Sequence, residues 1–104
     1  MKVELLYFDG CPNYESLGPR LHQLAERTGT SVEVQLRRVE SDEEACRLRF
    51  IGSPTIRVDG RDVEPGTEER QDYALQCRLY RTANGVRGTP PDDWILEALR
   101  GRQA

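Results

Sequence analysis

The sequence is poor in the features that mark specialised classes. Its 104 residues hold one histidine, one tryptophan, one methionine and three cysteines. No apolar run approaches the ~20 residues that cross a bilayer, so no membrane association is expected. Met1 to Phe8 is hydrophobic for only a few residues, includes Glu4 and is followed by no small-residue cleavage site, which argues against a secretory signal. No basic excess exists either. The net charge of −3 argues against a nucleic-acid binder, and the pairs Arg37-Arg38 and Arg47/Arg49 read as solvated faces. Cys11, His22, Cys46 and Cys77 show none of the paired spacings of zinc motifs, and His22 reads as a surface or boundary residue. There is no serine–histidine–acid triad, phosphate loop or dinucleotide fingerprint. Three widely spaced cysteines do not make a secreted disulfide framework, so a cytoplasmic chain with free thiols is the expectation.

What is present fits one domain spanning residues 1–104. A chain of this length buries roughly two thirds of its unfolded surface. Lys2 to Phe8 is nearly continuous in apolar and aromatic residues and ends at Asp9-Gly10, the pattern of a strand covered on both faces. From Asn13 to Thr28, Tyr14, Leu17, Leu21, Leu24 and Ala25 recur at helical spacing, and Gly29 is the natural stop. Ser31 to Val39 alternates, with Val32, Val34 and Leu36 predicted to face inward. Ser41 to Glu44 has capping-box spacing and opens a short helix with Ala45, Leu48 and Phe50 on its buried side. Thr55 to Val58 reads as a third strand closed by Asp59-Gly60. Thr89-Pro90-Pro91-Asp92 opens a last helix in which Trp94, Ile95, Ala98 and Leu99 face inward.

The fourth strand is open to two readings. Cys77 to Arg81 is the preferred one, which leaves Arg61 to Gln76 as a polar connection longer than a hairpin needs. The alternative places the strand at Arg61 to Val63 and makes Cys77 to Arg81 an added element. Either way the fold class is α/β, ordered β-α-β-α-β-β-α, with a four-stranded mixed sheet flanked by helices. The first two strands are predicted parallel and the last two antiparallel.

The chemistry-bearing residue is Cys11, in Cys11-Pro12-Asn13-Tyr14, between a buried strand and the first helix. Unpaired N–H groups at a helix start stabilise a thiolate, and Pro12 suits a first helical position. Nearby Asp9 opposes that effect. The competing reading is a small buried cysteine without chemistry. Gly52-Ser53-Pro54-Thr55 is the second landmark, a proline directly before a strand.

These landmarks together resemble the thioredoxin and glutaredoxin superfamily. Its members carry a Cys-Pro-x-Cys or Cys-Gly-Pro-Cys motif after the first core strand and a cis-proline in a Gly-x-Pro-Thr setting before the third. Pro19, eight residues after Cys11, matches a helix-kinking proline of thioredoxins. A narrower likeness joins Gly-Ser-Pro-Thr, Val-Asp-Gly, Cys-Arg-Leu-Tyr and Pro-Pro-x-x-Trp to small bacterial thioredoxin-like proteins, some of which carry an alkylmercury lyase label. The paired cysteines and acid that carbon–mercury cleavage would need are not seen here. Tyr14 stands in place of the second cysteine, and Leu5 in place of the buried acid of thioredoxins.

The resemblance implies catalysis at Cys11 and a substrate groove formed by Pro12, Tyr14, Ser53, Pro54 and Thr55, with the Ser53 backbone presented to a bound peptide or glutathione. Gly85 and Gly88 are a weaker likeness to the glutathione-carboxylate site. The leading expectation is monothiol chemistry: thiol–disulfide exchange or a glutathione mixed disulfide at Cys11. It needs no cofactor; glutathione is the candidate co-substrate and a thiol- or disulfide-bearing protein the candidate partner. Cys46 reads as packed. With the preferred strand, Cys77 pairs near Val58, on the order of 13 Å from the site and beyond disulfide reach. The alternative strand, or a shifted register, leaves Cys77 open as a resolving thiol. Two other classes compete: a non-catalytic binding module on the same fold, and a thiol binder of soft metals such as mercury or copper(I).

Overall fold

The computed structural model describes residues 1–101. Strand β1 (Lys2–Tyr7) is central because its side chains are apolar on both faces: Val3 and Leu5 point one way, Leu6 the other, and all three are buried. It pairs in parallel with β2 (Glu33–Arg38) and antiparallel with β3 (Thr55–Val58). The fourth strand, β4 (Arg61–Asp62), pairs antiparallel with β3 and gives the sheet order β2-β1-β3-β4. The β3–β4 turn consists of Asp59 (φ 51°) and Gly60 (φ 85°), both left-handed, which suits a two-residue hairpin.

Helices α1 (Leu17–Thr28) and α3 (Asp92–Leu99) cover the face that carries Val3, Leu5, Ile56 and Val58. Leu17, Leu21 and Leu24 of α1 and Ile95 and Leu99 of α3 complete that core. Helix α2 (Asp42–Leu48) covers the other face, where Ala45 packs with Leu6, Val39 and Phe50. The Ser41 hydroxyl accepts from the Glu44 N–H (3.0 Å), as its spacing predicts. The Glu44 carboxylate accepts from the N–H of Glu40 (2.8 Å), one residue earlier than a capping box requires. Among the described residues no helix is long and apolar enough to cross a membrane.

Three sequence expectations change. Cys77 to Arg81 does not join the sheet; instead β5 (Tyr80–Thr82) and β6 (Gly85–Arg87) form a separate hairpin, and Arg61 takes the fourth place because the Asp59-Gly60 turn folds the chain straight back. The first helix starts at Leu17, not Asn13, after a single 3-10 turn at Pro12–Tyr14. Pro19 therefore lies in the first turn of α1, where a missing N–H removes no helical bond, and it is not an interior kink. Leu36 is 63% exposed because β2 is an edge strand whose outer part no helix covers.

Candidate functional site

Cys11 follows β1 after a turn closed by its own N–H donating to Phe8 O (3.2 Å). Its backbone is extended, its side chain is 0% exposed, and its thiol donates to the carbonyl of Ser53 (3.3 Å). The 3-10 turn that follows is only three residues long and α1 begins six residues on, so Cys11 does not stand at the start of the α-helix as the sequence predicts. The turn is held instead by Tyr14, whose ring stacks on Tyr7 with centroids 4.0 Å apart. The Tyr14 hydroxyl is pushed up by desolvation and by Tyr7, Glu15 and Asp9. Asp9 itself faces Arg38 (3.1 Å), so its charge is shared with a cation.

The Ser53–Pro54 peptide bond is cis. Ser53, Pro54 and Thr55 are all buried, whereas Pro12 is exposed and Tyr14 half-buried. The groove that the resemblance implies along Ser53 is filled by the chain itself. The Ser53 N–H donates to Gln76 O (2.8 Å), and its carbonyl accepts from the Arg78 N–H (2.9 Å). Ser53 and Cys77 thus form a parallel bridge. Gly52 makes this approach feasible: a Cβ there would stand 2.8 Å from Arg78 Cβ and 3.1 Å from its Cα, and its φ of +135° disfavours other residues. The Ser53 hydroxyl is buried without a hydrogen-bond partner.

The same pairing brings Cys77 to Cys11. Both cysteines are thereby gathered at Ser53, in contrast to the separation of about 13 Å that the preferred strand assignment gave by strand rise. The Cys77 thiol is raised by desolvation first, then by hydrogen-bond and Coulombic interaction with Cys11. Cys77 is exposed and Cys11 buried; Cys46, predicted packed, is exposed on the outer side of α2. A cavity of about 250 Å³ is lined by Phe8, Asp9, Gly10, Arg38, Glu40 and Leu75 and by neither thiol. A second cavity, of about 280 Å³, lies by Arg49, Arg57, Arg61 and Arg70 and includes neither thiol.

Arg78, unremarked in the sequence, anchors the segment. Its side chain is 0% exposed and donates to Asp62 (2.7 and 2.9 Å), Glu64 (2.7 Å) and the Thr55 hydroxyl (3.1 Å). Its guanidinium carbon lies 4.4 Å from the Tyr80 ring centroid. Burial opposes the charge, but the hydrogen bonds to Asp62 and Glu64 and the surrounding negative groups outweigh it and keep Arg78 protonated. Tyr80 is also fully buried, with its hydroxyl donating to Pro54 O. Desolvation holds that hydroxyl well above the usual phenol range. Leu79, between them, is 66% exposed. The acids at Asp62 and Glu64, one residue apart and both available to a basic side chain, were the signal for this network.

His22 is exposed, with Nδ1 3.0 Å from Gly18 O. Gly88 packs under the Asn13 amide and Gly85 turns the β5–β6 hairpin, which gives both glycines a structural reason. Among the described residues no three His, Cys, Asp or Glu side chains are grouped to hold a metal ion. Comparison with protein-family models, with curated proteins and with solved structures finds no match to this chain.

Proposed function

We propose that this chain is a thiol–disulfide exchange protein with a thioredoxin-like arrangement, in which Cys11 and Cys77 are the working pair. The observation that carries the reading is that the Cys11 thiol donates to Ser53 O (3.3 Å) while Ser53 is bridged to Cys77, so that both cysteines meet at the residue before cis-Pro54. The sheet order β2-β1-β3-β4, a cysteine directly after β1 and a cis-proline directly before β3 support the fold assignment. With Tyr14 in place of a second motif cysteine, the resolving role passes to a thiol delivered by the Gln76–Arg78 segment, and the monothiol cycle becomes a dithiol one.

The exchange balances without a cofactor. Two protein thiols lose two electrons and two protons to become one disulfide, and a substrate disulfide gains them to become two thiols. Return to the dithiol requires an external reductant, either two equivalents of a monothiol such as glutathione or one protein dithiol.

One observation favours a second reading, a binding module without redox chemistry: both backbone groups of Ser53 are already paired within the chain, so no substrate strand can add there. Oxidation separates the two. Treatment with oxidised glutathione followed by peptide mapping is expected to yield an internal Cys11–Cys77 disulfide. Persistence of both as free thiols while Cys46 becomes glutathionylated would favour the binding module.

A further inference from the structure

We infer that Cys77 is the attacking thiol and Cys11 the resolving one. This rests on the exchange function proposed above and assigns the order of its two steps, opposite to the order the sequence resemblance implies.

Access decides the order. Attack on a disulfide requires the sulfur to approach along the S–S axis of an incoming molecule. Cys11 is 0% exposed, its thiol is directed at Ser53 O, and Ser53 is itself paired with the Gln76–Arg78 segment. Cys77 is exposed on that segment.

In the first step the Cys77 thiolate attacks one sulfur of the substrate disulfide. A Cys77–substrate disulfide forms and the other half leaves as a thiolate, which takes up a proton from water. In the second step Cys11 loses its proton and attacks Cys77 Sγ. The Cys11–Cys77 disulfide forms and the second substrate half departs as a thiolate and is protonated. The pairing also explains why the steps occur in sequence: neighbouring thiolates repel, so the two groups ionise one at a time. Once Cys77 is bonded to substrate it carries no charge and presents its sulfur to Cys11 as the electrophile. Cys46, exposed on α2, lies outside the pair and offers only a dead-end adduct.

The test uses the full chain with Cys46→Ser, limiting oxidised glutathione, acid quench at short times and peptide mass mapping. The first adduct is expected on Cys77. Cys11→Ser should stop there and accumulate glutathionylated Cys77, while Cys77→Ser should react at least about tenfold more slowly. First-adduct mapping on the chain with both thiols intact makes the order readable without either variant. If the first adduct appears on Cys11 and the internal disulfide still forms, the assigned order is wrong but the exchange function stands. If no internal disulfide forms from either adduct, the pair itself, and with it the exchange function, is overturned.

Discussion

Replacing Arg78 by methionine should cost the fold about 3–5 kcal/mol, the range for removing one partner of a buried ion pair. The guanidinium is wholly buried and meets two carboxylates whose side chains are only 12% and 19% exposed, Asp62 and Glu64. Methionine fills most of the volume, so the loss is mainly electrostatic; two desolvated acids are left without their cation. The contact with the Tyr80 ring, 4.4 Å to the centroid, accounts for about 1 kcal/mol within that total. A domain of this size has about 5–15 kcal/mol of stability, so the variant should remain folded but melt at far lower urea. Trp94 is the only tryptophan and its ring lies 6.3 Å from that of Tyr80, which makes its fluorescence a direct reporter of this region. The control is the triple variant Asp62→Asn, Glu64→Gln, Arg78→Met, which removes the stranded charges and should recover about 2 kcal/mol relative to the single change. A single-variant loss under about 1 kcal/mol would refute the electrostatic account. A triple variant no better than the single one would assign the loss to packing. Because the Arg78 side chain anchors the segment that carries Cys77, the single variant should form the Cys11–Cys77 disulfide more slowly even where it remains folded.

Other outcomes follow from the same region. Tyr80→Phe removes the buried hydroxyl that donates to Pro54 O and should lower stability by about 1–2 kcal/mol in the same urea assay, since the carbonyl is left without that donor. Ser53→Ala should do the reverse and stabilise by about 1 kcal/mol, because the buried Ser53 hydroxyl has no partner to lose; destabilisation would mean that the hydroxyl is satisfied after all. Cys77 alkylation should rise with pH to a midpoint above the ~8.5 of a free thiol, and Cys11→Ala should move that midpoint down by removing a hydrogen bond and a repulsion while leaving the desolvation. The linked stability has a definite sign. The folded pKa of Cys77 lies above its unfolded value, so the contribution is present below the unfolded pKa and is lost as pH rises through the folded one. Stability should therefore fall above about pH 8.5, and less steeply in Cys77→Ser.

Much of the architecture was legible because the hydrophobic pattern alone determines it. Val3, Leu5 and Leu6 required a strand covered on both faces, and the leucines of residues 17–24 required a helix on one of them. The helix start was misplaced because Tyr14 extends the apolar spacing backwards, although its ring is used to stack on Tyr7 rather than to pack against the sheet. Leu36 reads as an inward residue and is exposed on an edge strand, and Leu79 is exposed opposite a buried arginine and tyrosine. In residues 77–81 the alternation was present but its sign was inverted. Arg78 and Tyr80 form the inside, and only the distant acids at 62 and 64 make that tolerable.

The same inversion hid the thiol pair. Placed in the main sheet, Cys77 lies at the far end of β3 from Pro54. Placed by Arg78, whose ion pairs and N–H fix the segment against Gly52 and Ser53, it lies against Cys11. A cysteine two or three residues from its partner announces itself by spacing, whereas one 66 residues away depends on every contact that routes the chain between them. Here that route turns on two elements that no local pattern reveals: a glycine that lets one backbone approach another, and a buried cation shared by two acids. An exchange site assembled this way is coupled to the stability of its anchor. Loosening Arg78 should separate the thiols before it unfolds the sheet, since the sheet pairings of β1, β2 and β3 include no residue of the Gln76–Arg78 segment.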